Sequence, residues 1–214
     1  RDISGGHYNM VIGTAGSITL LLQCLMPVAS AAQEPVSLEI TGGTDVAWSP
    51  PVDYMSHVLL PVLLAMGLEC SIELYRRGYY PRGGGRVTAI IHPSALQAVV
   101  LDKEDERDTK KEETEKEKEV GKEIEPCTVA GISHSSNLPP HVARRQADTA
   151  ETALEKADYS SSIDARLASV PSTGSGITLW CGHAGGSALG KRGLPAEKVG
   201  KTAAREIITE LDSG

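Results

Sequence analysis

Residues 36–43, "VSLEITGG", alternate Val36, Leu38 and Ile40 with Ser37, Glu39 and Thr41. That is the period-two pattern of a strand with one buried face, and the glycine pair ends it in a turn. Upstream, "YNMVI" (8–12) reads as a short strand and "GTAGS" as a turn. The apolar run 18–32, "ITLLLQCLMPVASAA", then reads as a buried helix capped by Thr14 or Ser17. Gln23 is the polar exception in that helix; if buried, its amide must either tie down a neighbouring loop or hydrogen-bond a ligand in a cleft. A second helix is predicted from Pro50 to Met66, with Ser49 as N-cap, Pro50 in the first position and Gly67 past its end. Pro61 should kink or shorten it. Strands follow at 68–77 and 85–93. This β-α-β-α-β-β order predicts an α/β fold, an open sheet with two helices on one face.

Residues 102–125 carry 12 acidic and 7 basic side chains and almost nothing that could enter a core. The segment predicts an exposed helix or disordered linker and divides the chain into units 1–101 and 126–214. Beyond it, "CTVAGISHSS" reads as a strand, and a helix opened by "PP" is amphipathic through Val142, Ala143, Ala147, Ala150 and Leu154. "SIDARLASV" and "GSGITLWCGH" read as strands, and "PAEKVGKTAAREIITELDSG" as a closing helix. The result is a second, smaller α/β unit.

Composition changes this picture in three places. The net charge of −7 is concentrated in the charged segment; elsewhere 16 acidic side chains face 14 basic ones, so a local basic patch for nucleic acid remains open. Phenylalanine is absent, so the core must be aliphatic. Cys24, Cys70, Cys127 and Cys181 form no CxxC pair, which predicts free, mostly buried thiols in a reducing compartment, the cytoplasm. The apolar run is too short for a bilayer span, so no membrane is expected. The first residues show no signal-peptide pattern, and the chain reads as beginning in mid-domain.

Three chemistries can be set aside. "PRGGGRV" runs from strand to strand with no helix to supply an N-terminus, so it fits neither a dinucleotide fingerprint nor a P-loop. The triple glycine reads instead as a site where strands approach closely. His7, His57, His92, His134, His141 and His183 have no ligand spacing, so no metal site is predicted. No G-x-S-x-G elbow is present. The better candidate is "GTAGSITLLLQ", a turn that leads into a helix N-terminus one side of which carries Gln23.

"RGYYPRGGGRV" (77–87) resembles the signature of the RNA 3′-terminal phosphate cyclase family. "GTAGSITLLLQ", "ITGGTDVAWSPPVDYMSHVLLPVL", "GISHSSNLPPHVARRQ" and "HAGGSALGKRGLPAEKVG" resemble other blocks of the same family in the same order. The resemblance implies a large domain of repeated β-α-β-α-β-β units, here 1–101, and a smaller inserted α/β domain, here 126–214. It implies an ATP-dependent conversion of an RNA 3′-phosphate to a 2′,3′-cyclic phosphate, with a divalent cation, through a histidine-AMP adduct and an RNA-adenylate.

By the same resemblance, Gln23 and Pro51 match ATP-contacting positions, the amide toward phosphate or ribose and the ring against adenine. Arg77, Gly78, Pro81, Gly83, Gly84 and Gly85 match the signature, with a structural role expected for the glycines in a tight turn. The family's early phosphate-binding segment and its nucleophilic histidine have no counterpart here, so no catalytic residue is assigned and the chain alone is expected to be inactive. The alternative is a non-catalytic, cyclase-like ribosome-assembly protein, although "GYYPRGGG" and Gln23 look more like the catalytic branch. A third reading makes the charged segment an arm for a protein partner.

Overall fold

A computed structural model describes residues 3–101 and 127–213. The charged segment 102–125, with the boundary and arm expected there, lies outside the described residues. The first unit runs β1 (Gly6–Val11), α1 (Ile18–Ser30), β2 (Val36–Gly42), α2 (Val52–Tyr54), a widened π turn (Met55–Leu59), α3 (Leu60–Ala65), β3 (Cys70–Arg76) and β4 (Gly85–Ile91). Its sheet order is β1-β2-β4-β3, with β1 parallel to β2 and the other pairs antiparallel. The alternation in β2 is realised: Val36, Leu38 and Ile40 pack with Val87, Ala89 and Ile91 against Ile18, Leu22 and Met26 of α1 and Val52 and Met55 of the second helix. Both helices therefore lie on one face. Fully burying a side chain such as Leu22 or Ile40 is worth roughly 1.5–3 kcal/mol, which is what holds this layer to the sheet.

Ser17, not Thr14, caps α1: its Oγ accepts from Leu20 N at 3.1 Å. The second helix begins later than expected. Ser49 is not its cap, because the Ser49 hydroxyl donates to Val46 O at 3.2 Å, and Pro51 holds the cap position instead. Pro61, which has no N–H, is accommodated by the π turn immediately before it, where Leu60 N reaches back to Met55 O.

The second unit runs β5 (Val129–Ser136), α4 (His141–Glu155), β6 (Ser161–Leu167), β7 (Gly174–Cys181), β8 (Ala184–Leu189) and α5 (Ala196–Ser213). Its sheet order is β6-β5-β7-β8, with β5 and β6 parallel. The element order differs from that of the first unit. Ala143, Ala147, Ala150 and Leu154 are buried as their spacing predicts, while Val142 is only half-buried and Gln146 takes a core position. Strand β8, "AGGSAL", has no alternating pattern to announce it.

The cysteine expectation needs correcting. Cys127 and Cys181 form a disulfide, with Cα atoms 6.3 Å apart, joining the lead-in to β5 to the end of β7. Cys24 is free and exposed, and Cys70 is free and half-buried, its thiol pushed up to about 11 by burial. Among the described residues, no helix is long and apolar enough to cross a membrane.

Candidate nucleotide site and the buried ion cluster behind it

Three glycine-bearing segments converge beside the N-terminus of α1. Ile18 N donates to Gly43 O at 2.9 Å and Gly43 N to Gly16 O at 2.8 Å, which locks the 13–17 turn onto the end of β2. Gly83 fits against the same turn: a Cβ there would lie 2.6 Å from Thr14 O and 2.9 Å from the Ala15 Cα. Gly83 and Gly84 have φ of +64° and +72°, which suits glycine in the turn closed by Gly83 N donating to Tyr79 O at 2.7 Å. The "PRGGG" signature is thus a corner packed against backbone, as its strand-to-strand context implies.

The two residues matched to ATP positions lie on neighbouring elements. One turn ahead of Gln23, the Thr19 hydroxyl donates to Pro50 O at 2.8 Å, tying α1 to the prolyl loop. Gln23 itself is exposed, contrary to the expectation of a buried amide. It sits at a hollow of about 270 Å³ lined with Met26, Pro27, Leu59, Leu63, Leu68 and Leu96, and Pro51 does not border it. Pro51 is buried, so its ring is already covered by protein, while Pro50 is half-buried and Trp48, in the same loop, is exposed.

Behind this loop lies a feature that sequence reasoning missed. Arg77 follows β3 and is buried between two carboxylates, with Nη1 3.3 Å from Asp45 Oδ1 and Nη2 2.7 Å from Asp53 Oδ2. Asp45 also accepts from the Thr44 hydroxyl at 2.6 Å, and Thr44 Oγ1 in turn accepts from Gly78 N at 2.9 Å. From the second unit, β5 inserts His134, with Nε2 3.2 Å from Asp45 Oδ1 and Nδ1 2.8 Å from the Tyr79 hydroxyl. His134 Nε2 and Asp53 Oδ2 lie in these short contacts without a well-aligned hydrogen bond.

Burial pushes the Asp45 carboxyl up, but His134 and Arg77 outweigh it and hold the group below its ordinary value of 3.8. Burial first, and then Asp45, raise the Tyr79 phenol well above its ordinary value, which keeps it neutral. Against burial, Asp45 and Asp53 raise the Arg77 guanidinium further, so it stays charged.

Around this cluster the two units are fastened together. Tyr79 N donates to Ser172 Oγ at 3.0 Å, Arg82 Nη1 donates to Pro171 O at 3.2 Å, and Gly174 lies against the Tyr79 ring. The His57 and Trp180 rings stack with centroids 4.0 Å apart and planes 7° from parallel. Burial pushes the His57 imidazole down, with Asp53 opposing. The indole thus covers one face of the His57 ring.

Among the described residues, Asp45, Asp53 and His134 are the one group offering three possible metal-ligand atoms, all within 4.8 Å of one another. They do not fit a divalent cation, because the Arg77 guanidinium already holds both carboxylates and a cation would have to displace it. The cluster is an ion network inside an interface. The signal for it in the sequence was slight: Asp45 and Asp53 are the only carboxylates between Glu39 and Glu69, in a segment otherwise apolar or small.

Comparison with known proteins agrees with the sequence blocks. The model of the family "RNA 3'-terminal phosphate cyclase" matches residues 1–209. A protein of that name from Methanosarcina mazei is 51% identical over 218 residues, covering 100% of this chain and 60% of that protein. The Methanosarcina acetivorans relative is 52% identical over 215 residues, 99% of this chain and 61% of that protein. One from Archaeoglobus fulgidus is 43% identical over 212 residues, 99% and 58% respectively. The chain thus spans about three fifths of the length of these relatives. Both the glycine corner and the prolyl loop fall within the matched region, and on this match the chain belongs to the RNA 3′-terminal phosphate cyclase family.

Proposed function

We propose that this chain is part of an ATP-dependent RNA 3′-phosphate cyclase that converts a terminal 3′-phosphate to a 2′,3′-cyclic phosphate. The observation that carries the reading is the family match over residues 1–209. In the chemistry this requires, a protein nucleophile displaces pyrophosphate from ATP and AMP then passes to an oxygen of the RNA 3′-phosphate. The neighbouring 2′-hydroxyl attacks that phosphorus in line and expels AMP. Making AMP the leaving group divides one difficult displacement into easier ones.

In this reading Gln23, whose amide is open to solvent beside an apolar hollow, contacts the nucleotide as both donor and acceptor. Pro51 serves by fixing the loop, since its ring is buried. The family implies a divalent cation; no residue group described here is assigned to it. The second unit is the inserted domain. No histidine of this chain is assigned as nucleophile, so the 214 residues alone are expected to be inactive.

The test is incubation with ATP labelled at the α-phosphate. A protein carrying this chain at the full length of its relatives should form an acid-labile AMP adduct, and the chain alone should form none. Failure of the longer protein to form the adduct would overturn the reading, and an adduct on the chain alone would place the nucleophile among its own side chains.

A further inference from the structure

Trp48 is 98% exposed and sits at φ 70°, in the left-handed region that costs any residue but glycine energy. An exposed indole forgoes one of the largest burial gains open to a side chain, so among the described residues nothing compensates its position or its strain. The loop that holds it is not loose. Val52 N donates to Thr44 O at 3.0 Å, closing the loop at its base, and the Thr19 hydroxyl anchors Pro50 O at 2.8 Å.

That base is bonded to a second loop. Asp45 pairs with Tyr79, and Asp45 N donates to Gly78 O at 3.3 Å. The residue after Tyr79 is Tyr80, 76% exposed, and two positions further stands Arg82, also exposed, with one guanidinium nitrogen held by Pro171 O. Two loops fixed to each other at their roots therefore each turn an aromatic ring to solvent, with an anchored cation on one of them.

We propose that Trp48 and Tyr80 form a stacking platform for unpaired nucleotides at the 3′ end of RNA, with Arg82 positioned for the backbone phosphate. The inference rests on the cyclase reading and extends it to how the strand is held. The proposed reaction touches only the terminal phosphate and its 2′-hydroxyl, which are the same for every base. Stacking is the contact that tolerates any base, because each has a π-face. Outside the charged segment 16 acidic side chains face 14 basic ones, so the net charge there gives no general attraction for phosphate, and ring stacking adds affinity that charge does not.

The experiment measures binding of a fluorescently labelled single-stranded RNA decamer with a 3′-phosphate to the 214-residue chain. Trp48→Ala and Tyr80→Ala should each weaken binding about tenfold, Trp48→Phe and Tyr80→Phe should restore most of it, and Tyr75→Ala, the loss of an exposed ring on β3, should change nothing. RNA should quench tryptophan emission in the unaltered chain but not in Trp48→Phe, since Trp180 is already stacked on His57. Both variants remove side chains that bury little, so their folding is not at stake. RNA binding that ignores both ring deletions, or that is equally tight for a blunt duplex, overturns the platform alone. Absence of RNA binding by the unaltered chain overturns the platform, whereas the cyclase reading stands or falls on the AMP adduct of the longer protein.

Discussion

Replacing Arg77 with methionine is expected to lower the stability of the folded chain by about 3–5 kcal/mol, a large fraction of the roughly 5–15 kcal/mol by which domains are stable. The side chain is 8% exposed and stands between Asp45 and Asp53, which are 0% and 8% exposed. Methionine matches much of its volume but leaves two carboxylates facing each other out of water. The cost comes from those stranded charges more than from the net worth of the ion pairs, because a buried pair gains in attraction little more than it loses in desolvation. Arg77→Lys should be milder but still destabilising, since an ammonium cannot present two forks to two carboxylates.

The loss should also depend on pH, and its sign follows from Asp45. The native carboxyl is held below its ordinary value of 3.8, so its contribution is complete above that pH and fades as the pH falls through the native value. In Arg77→Met the carboxyl loses one of the partners holding it down and protonates at higher pH. The gap between unaltered and variant chains should therefore be widest near neutrality and narrow below about pH 4. Urea midpoints measured across that range would check both the size and the slope.

Gly78→Ala should be at least as damaging, by more than about 4 kcal/mol, and is expected to leave little folded protein. A Cβ at Gly78 would fall on Gly85 N and the Gly85 Cα at the start of β4 and on Gly42 O at the end of β2. All three are backbone atoms of paired strands, so no side chain can swing aside. The same residue accepts from Thr44 N at 2.9 Å and donates to Thr44 Oγ1 at 2.9 Å, so any shift to relieve the clash also strains the support of Asp45. Gly84→Ala is the contrast: nothing lies within 4 Å of its Cβ, and only its φ of +72° opposes the change, at about 1–2 kcal/mol. Soluble yield and thermal melting of the two variants should separate them clearly.

The parts of the fold legible in the sequence are those where one face is buried and the other wet. Strand β2 shows Val36, Leu38 and Ile40 in strict alternation because α1 covers one side of the sheet only. Helix α4 shows its alanine face for the same reason. Strand β8 was missed because Gly185 and Gly186 are small by necessity: a Cβ on Gly185 would meet Val58 and Tyr54, and one on Gly186 would meet the backbone of α5. Close approach of that kind removes the hydrophobic signal that marks a strand.

The start of the second helix was misplaced because Ser49, a good cap by type, spends its hydroxyl on Val46. Burial of Gln23 was expected from its apolar neighbours, but Leu20 and Val28 of the same helix are also exposed, so an apolar helix here is not a helix buried all round. The ion cluster was illegible for another reason. Its members are brought together from residues 45, 53, 77, 79 and 134, and local spacing cannot report a pairing across 55 residues such as Tyr79 with His134. Gln146 escaped likewise, since the bond its amide donates to Ser175 Oγ at 2.9 Å reaches from α4 to β7.

The buried contacts of Arg77 and Tyr79 with Asp45, Asp53 and His134 fasten the two sheets to each other. A double-mutant cycle tests this most directly: Tyr79→Phe, His134→Leu and the double variant, each unfolded in urea. The account predicts a coupling of at least about 1 kcal/mol between the two sites, because each loses a buried partner on the other unit. Effects that simply add, to within about 0.3–0.5 kcal/mol, would mean that the two rings do not hold the units together and would contradict it.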